Sequence, residues 1–431
     1  MSTIFQKIAE KKAALLLIFP LLLLYGTSYF QRTALPGMVF NELAGDLSMN
    51  AVQVAAIGAS FIYAYSLSQY FWGMMIDKYG GAKVVKYGGI FFLAGITIVP
   101  FCENHILLYT SRALAGFGAS CLFLSLIREE NRLFDRKNYS LLIGVTYFFG
   151  YGGGMLGTLP FERLSRLYSW RNVLIAVSII TLLSYLAFLF FSRKESGRKS
   201  TTQPFSIKPF IHVATNPYTW VIIFCSTITF CSYFIIQTVF GKKFLQDFTG
   251  MSSPAAALVI CLLTVCCVAT VITTSVLVRL CGNRRKPLIV GAAGLCMVNS
   301  FVMALGIYYR FPGWVFAINY FLYAVSAGVP SVYCMIIQEV NVKSIMTQAT
   351  SFSNTFGYLA VAVFSPLIGL LLEKVGGTRN AEGVMIYSRK AYLTLFVIVC
   401  TVTTLCFIVS FFIPETKGHF FRQRLEGEEE I

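Results

Sequence analysis

Apolar residues fall along this chain in twelve runs, near 13–40, 52–75, 84–102, 106–127, 139–161, 171–192, 218–241, 254–278, 287–309, 313–337, 345–372 and 391–413. A helix needs about 20 apolar residues to cross a bilayer core, so each run predicts a transmembrane helix, and the longer ones fit by tilting. Between the sixth and seventh runs lies Arg193–Pro217, the longest polar stretch before the tail. It divides the chain into an N-terminal six-helix bundle (1–192), a cytoplasmic linker (193–217), a C-terminal six-helix bundle (218–413) and a cytoplasmic tail (414–431).

The halves echo each other. Gly73–Lys86 follows the second run as Thr274–Lys286 follows the eighth, Leu126–Asn131 ends the fourth as Ile336–Asn341 ends the tenth, and Pro160 late in the fifth matches Pro366 late in the eleventh. Such an internal repeat is the mark of transporter folds whose site lies between the repeats. The predicted class is an all-α membrane protein with twelve transmembrane helices in two pseudo-symmetric six-helix bundles around a central cavity.

Composition agrees. Of 431 residues, 56% are hydrophobic and 13% charged, about half the charge of a soluble domain. The net charge of +16 would suggest nucleic acid in a soluble protein. Here the 35 lysines and arginines sort by loop: 23 fall on one side, 10 on the other, and Arg32 and Arg112 lie within helices. That asymmetry places both termini in the cytoplasm, and the positive charge reads as orientation, not nucleic-acid binding. The twelve cysteines sit mostly in apolar runs with no CxxC, and the three histidines (105, 212 and 419) show no zinc spacing. Buried thiols are expected, with no metal and no cofactor. The first apolar run is too long for a cleaved signal peptide.

Two motifs and an ending carry a family resemblance. Gly73-x-x-x-Asp77-Lys78-x-Gly80-Gly81-x-Lys83 is similar to the loop signature of the major facilitator superfamily, and Leu108-x-x-x-Arg112-x-x-x-Gly116-x-Gly118-Ala119 is similar to its helix 4 motif. Pro414–Gly418 is a frequent ending in several of its branches. The resemblance implies a secondary transporter and makes the loop cluster a latch on the outward-facing state; a loop that only fixes topology is the alternative. Gly73 is expected to let two helices approach, with Asp77 at a helix end where it meets cations or a helix N-terminus. Val278 stands where a second Asp77 would fall. Tyr29-x-x-Arg32 resembles the Tyr-x-x-Arg of organic-anion and organophosphate carriers, where the arginine binds the substrate's charge. Phe352–Lys374 resembles helix 11 of the phagosomal nutrient transporters of intracellular bacteria, and related patterns occur in lysosomal dipeptide carriers.

Arg32 is the residue that composition alone makes conspicuous. No acidic residue lies between Lys12 and Glu42, and Tyr25, Tyr29, Arg32 and Pro36 share one helical face. Arginine within a span ordinarily faces a cavity. The other reading lets it snorkel to the outer interface, since it lies about 30 Å of helical rise beyond Lys12. In a cavity, its fork fits a carboxylate or phosphate. Arg112 is either a second anchor or a brace to backbone carbonyls. Tyr147 and Tyr151, Tyr233 and Gln237, Asn319, Tyr323 and Ser326, and Asn354 and Tyr358 fall at helical spacing; these are substrate contacts or interhelical hydrogen bonds. The glycines from Gly150 to Gly157 suit close packing. No Asp or Glu lies deep in a predicted helix, with Glu129 and Glu339 near inner ends, so a co-transported proton, exchange and facilitated diffusion all stay open.

The expected function is secondary transport of a small carboxylate-bearing solute (an amino acid, short peptide or organic acid) by alternating access, in a functional monomer in a bacterial inner membrane. A permease or exporter for a polycarboxylate siderophore is the alternative, and a non-transporting membrane sensor is the alternative of another class. No P-loop, HExxH or paired nucleophile suggests an enzyme.

Overall fold

Helices begin where polar side chains can cap them. Asn104 Oδ1 accepts Leu107 N at 2.8 Å, Asn216 Oδ1 accepts Tyr218 N at 3.1 Å beside Pro217, and Ser388 Oγ accepts Ala391 N at 3.2 Å. Asn50 and Gln53 cap reciprocally, each side chain accepting the other's backbone N–H at 2.9 Å. These are the donors a helix start leaves orphaned. The computed structural model describes residues 2–134, 139–192, 208–342, 345–379 and 384–419.

In chain order the helices are α1 (Ser2–Ala34), α2 (Phe40–Asp46), α3 (Ala51–Tyr79), α4 (Gly81–Ile98), α5 (His105–Leu133), α6 (Tyr139–Leu156), α7 (Leu159–Tyr168), α8 (Trp170–Phe191) and α9 (Lys208–Thr215). They continue with α10 (Pro217–Ile235), α11 (Gly241–Thr249), α12 (Ser253–Leu280), α13 (Lys286–Tyr309), α14 (Gly313–Ala327), α15 (Pro330–Glu339), α16 (Met346–Val375) and α17 (Arg389–Ser410). Strands β1 (Gly377–Arg379) and β2 (Met385–Tyr387) pair antiparallel before α17. Among the described residues eleven helical stretches are long and apolar enough to cross a membrane, and α6 occupies the fifth predicted run.

Several boundaries differ from expectation. Predicted to run to Phe40, α1 stops at Ala34, because Leu35 precedes Pro36 and a residue before proline is pushed out of the α region. Pro160 does not lie late in the fifth span; it sits in the first turn of α7, where its missing N–H costs nothing. The seventh span runs on through a π-helical segment, Ile236–Phe240, into α11. The tenth is two helices, α14 and α15, parted at Gly328–Val329. Within the expected linker, Lys208–Thr215 is helical, while residues 193–207 and the tail from 420 lie outside the described residues.

Two compact units emerge: Met1–Val39 with Ser60–Phe205, and Phe40–Ala59 with Ser206–Ile431. Phe40–Ala59, assigned from the sequence to the first bundle, belongs with the second unit. In the first unit, α1 packs along α6, and a Cβ on Gly153 would lie 2.0 Å from the Gly26 carbonyl oxygen. In the second unit the core includes Ile222, Ile289, Val332 and Ile336, all fully buried. The expected close approach at Gly73 is absent: a Cβ there meets only Leu124 Cδ1, at 4.0 Å.

Overpacking a tight contact costs about 1–3 kcal/mol. Gly153→Ala is therefore expected to lower the melting temperature of the purified protein, whereas Gly152→Ala, whose added Cβ meets nothing within 4 Å, leaves it unchanged. Equal melting curves for both variants would show that α1 and α6 are not held this closely.

Candidate functional site

The apolar run of α1 sets Tyr25, Tyr29 and Arg32 along one side, and its small polar residues turn inward to their own backbone. Ser28 Oγ donates to Tyr25 O at 2.7 Å, and Thr33 Oγ1 reaches across to Gly154 O on α6 at 2.9 Å. Arg32 is only 3% exposed. Its guanidinium carbon lies 4.0 Å from the ring centroid of Tyr65, 4.5 Å from Tyr29 and 5.9 Å from Phe61. Phe61 and Tyr65 come from successive turns of α3 and lie nearly parallel, 12° apart. A guanidinium over aromatic faces is held by the ring quadrupoles, more strongly when desolvated.

Arg112, on α5, is 1% exposed and lies 4.6 Å from the Phe61 centroid. Its Nη2 donates to Leu35 O at 3.4 Å, a long hydrogen bond to a carbonyl that the end of α1 leaves without a helical partner. One turn on, Gly116 has no room for a Cβ, which would sit 2.1 Å from Phe61 O; its absence lets α3 bring the Phe61 ring to both arginines.

The tyrosines on α1 and α6 form one aromatic array. Tyr25 stacks on Phe123 at 5.4 Å and meets Tyr29 edge-on at 5.1 Å. Tyr29 meets Tyr151 at 6.0 Å, Tyr151 stacks with Tyr147 at 6.1 Å, and Tyr147 returns to Phe123 at 6.2 Å. Tyr25 is buried, whereas Tyr147 is 43% exposed. Every first-half residue singled out for substrate binding thus lies in one neighbourhood within the first unit.

The second-half candidates do not converge in this way. Gln237 falls in the π-helical segment, and its Nε2 donates to Thr264 Oγ1 at 2.8 Å. Tyr233 is buried one turn earlier. Tyr323 pairs with Ser300 at 2.8 Å, and Ser326 Oγ donates to Tyr323 O. Asn319 is buried, with no donor among the described residues on its Oδ1. Tyr358 sets its ring edge-on to Phe230 and Phe234, and Asn354 is exposed. An apolar cavity of about 410 Å³ in this unit is lined by Tyr320, Tyr323 and Tyr392 together with phenylalanine and aliphatic side chains.

At the loop signature, Gly80 ends α3 with φ of +84°, a conformation costly for other residues. Lys78 and Lys83 each place an ammonium 5.1 Å from the Tyr79 ring. The Asp77 side chain lies outside the described residues. Glu129, seen in the sequence only as an end carboxylate, is 2% exposed; it accepts Ala82 N at 2.8 Å, capping α4, and pairs with Arg132 at 2.5 Å. The second unit performs the same task with other residues. Glu415 accepts the N–H groups of Arg285 and Lys286 at 2.9 and 3.1 Å. Glu339 pairs with Arg285 at 3.0 Å and accepts Thr416 Oγ1. Val278 in place of an aspartate is thus matched by a carboxylate from the Pro414–Gly418 ending.

One cluster was missed. Lys243, assigned from the sequence to a loop, is 1% exposed on α11. Its Nζ donates to Asp247 Oδ1 at 2.7 Å and to Met385 O at 2.6 Å. Asp247 Oδ2 accepts Tyr392 OH at 2.9 Å and Tyr387 N at 3.2 Å. Tyr387 OH donates to Glu373 Oε1 at 2.5 Å, and the same oxygen accepts Ala51 N at the start of α3. Burial, then the neighbouring carboxylates, push the Tyr387 phenol well above its usual range, so it stays a donor. The i,i+4 spacing of Lys243 and Asp247 was a signal in the sequence.

Helices long and apolar enough to cross a membrane, with two arginines buried among them, point to a membrane transporter as the class. The profile of the Major Facilitator Superfamily matches residues 21–363, and the chain belongs to that superfamily. It is 25% identical over 234 residues to an uncharacterized protein of Campylobacter jejuni, covering 52% of this chain and 72% of that one. A probable galactarate/D-glucarate transporter of Escherichia coli K12 is 25% identical over 192 residues (41% of this chain, 42% of the other). The oxalate:formate antiporter of Oxalobacter formigenes is 29% identical over 149 residues (33% and 35%). The chain thus spans less than half the length of these two named transporters. Among solved structures, the nucleoside transporter NupG superposes with a TM-score of 0.72 at 14% identity, covering 92% of this chain and 98% of the other.

Removing one partner of a buried ion pair costs about 3–5 kcal/mol, while apolar replacement of both is far milder. Asp247→Leu alone should strongly lower the melting temperature, and adding Lys243→Met should restore most of it. Additive losses in the double variant would mean that the two residues do not compensate each other.

Proposed function

We propose that the chain is a secondary carrier for a small carboxylate-bearing solute, an amino acid, short peptide or organic acid, moved by alternating access. It lies in a bacterial inner membrane with both termini in the cytoplasm. The observation that carries the reading is the burial of Arg32 against the faces of Tyr29 and Tyr65. A guanidinium does not lose its proton at physiological pH, and the aromatic faces leave its charge in place for a visiting anion to meet. An anion with a flat two-oxygen end is the visitor that its fork fits best. Tyr25, Tyr29, Tyr147 and Tyr151 supply aromatic walls and hydroxyls beside it. The names of the relatives, a galactarate/D-glucarate transporter and an oxalate:formate antiporter, support small carboxylates as the class to try first.

A ligand that binds the native state raises its apparent stability, by about 2.7 kcal/mol at 100 times Kd. Thermal-shift screening of the purified protein against amino acids, dipeptides, dicarboxylates, citrate-like compounds and sugar phosphates is expected to single out one carboxylate class. Arg32→Ala should weaken that ligand about 10- to 100-fold, the range for a lost hydrogen bond to a charged group. Arg32→Lys should recover part of the loss. A neutral ligand that stabilises wild type and Arg32→Ala equally would overturn the assignment.

A further inference from the structure

The sequence showed no carboxylate deep in a span, yet two adjacent glutamates at the end of α5 are both buried. Glu129 is fully occupied by Arg132 and the start of α4. Glu130 is different. It is 1% exposed, its Oε1 accepts Thr146 Oγ1 from α6 at 2.5 Å, and no donor among the described residues meets Oε2. An ionised carboxylate only accepts hydrogen bonds, with about four lone-pair sites. Burying it with one of its oxygens unmet is costly. A proton on Oε2 removes the charge while Oε1 keeps its bond to Thr146.

Among the described residues the nearby charged groups make other contacts or are exposed; Asp135, Arg136 and Lys137, between α5 and α6, lie outside the described residues. On α5, Arg132 pairs with Glu129 and Arg128 is exposed. On α4, Lys83 lies by Tyr79 and Lys86 donates to Ser192 O. On α3, Lys78 lies by Tyr79, and the Asp77 side chain is outside the described residues, as are those of Lys7, Glu10, Lys11 and Lys12 on α1. Arg32 sits in its cage, Arg112 on Phe61. Apart from its tyrosines, α6 carries no ionisable side chain. Among the described residues, burial and the Thr146 hydroxyl are the influences that act on the Glu130 carboxyl.

Thr146 also ties this carboxyl to the anion anchor. The next residue, Tyr147, stacks on Tyr151, and Tyr151 meets Tyr29, over whose ring Arg32 lies. One helix therefore bears on both groups. We propose that Glu130 is the proton-binding group of the carrier, taking a proton from water on one side together with the anion and releasing it to water on the other. The coupling rests on the reading of Arg32 as the anion anchor; the proton site itself does not.

Infrared difference spectroscopy of the protein in liposomes tests the proton site without any substrate. Wild type should gain a carboxylic acid C=O band on acidification that Glu130→Gln lacks. Thr146→Val removes the hydroxyl bound to Oε1, so it should keep the band and move its midpoint to higher pH. In liposomes holding a pH-sensitive dye, the carboxylate panel should drive proton entry through wild type. Glu130→Gln should lose that entry while keeping thermal stabilisation by the same carboxylates. An identical acid band in wild type and Glu130→Gln, or undiminished proton entry in that variant, overturns the proposal. If Glu130→Gln does not fold, the Thr146→Val midpoint decides, and an unmoved midpoint overturns it. If no carboxylate stabilises wild type, the anchor reading falls and the coupling with it, while the infrared band still decides whether Glu130 binds a proton.

Discussion

Two guanidinium groups share the ring of Phe61, Arg112 at 4.6 Å and Arg32 at 5.9 Å, and much of the first unit is arranged around that juxtaposition. Like charges in a low-dielectric interior repel strongly. Aromatic faces relieve part of the cost for both, and Leu35 O relieves part for Arg112. The carbonyl is on hand because α1 ends at Ala34, and a cation at a helix C-terminus is favoured by the dipole as well. The ring is on hand because Gly116 lets the α3 backbone come close. A proline after α1 and a glycine on α5 thus serve the same end, keeping two positive charges inside a membrane bundle.

The second unit buries charge in another way. Lys243 meets Asp247, and Arg285 meets Glu339. Each is a pair whose members answer each other, with tyrosine and threonine hydroxyls on the remaining lone pairs. Such pairs fix geometry more than they add stability. The Lys243 cluster joins α11, β2, α16 and α17 to the start of α3, and this explains why Phe40–Ala59 belongs with the second unit although the sequence order suggests the first. Charge in this unit is spent on structure. In the first unit, the rings of Tyr29, Phe61 and Tyr65 and the Leu35 carbonyl are among the groups that hold the arginines.

Much of the fold was legible because the bilayer demands a fixed length of apolar residues, and periodicity alone put Tyr25, Tyr29 and Arg32 on one face. Boundaries were less legible where a competing local rule won. Pro36 shortened α1, and Pro160 opened α7 instead of closing a span. The π-helical segment at Ile236–Phe240 disturbed the spacing of Tyr233 and Gln237 and carried Lys242 and Lys243 from an expected loop onto a buried helix. Gly73 was credited with a close approach that Gly153 and Gly116 make instead; a glycine's motif does not reveal which neighbour faces it. The Lys243 cluster was hidden for a related reason. Its pair is local, but Met385, Tyr387 and Tyr392 come from about 140 residues away.

Glu129 and Glu130 show the same limit at its smallest scale. They are neighbours in sequence with identical chemistry, yet about 100° of helical turn separates their directions. One faces the start of α4, where the Ala82 N–H and Arg132 satisfy it; the other faces α6, where Thr146 offers one hydroxyl. Neither composition nor spacing distinguishes a carboxylate that completes a helix cap from one buried with an oxygen to spare. The distinction lies in what the opposite helix presents. α6 presents few polar groups because its glycines lie close along α1 and its Tyr151 packs on Tyr29, the ring beneath Arg32. The close packing of α6 along α1 is thus also what leaves Glu130 with one hydroxyl donor from α6 among the described residues, so the setting of Arg32 and that of the buried carboxyl share one structural cause.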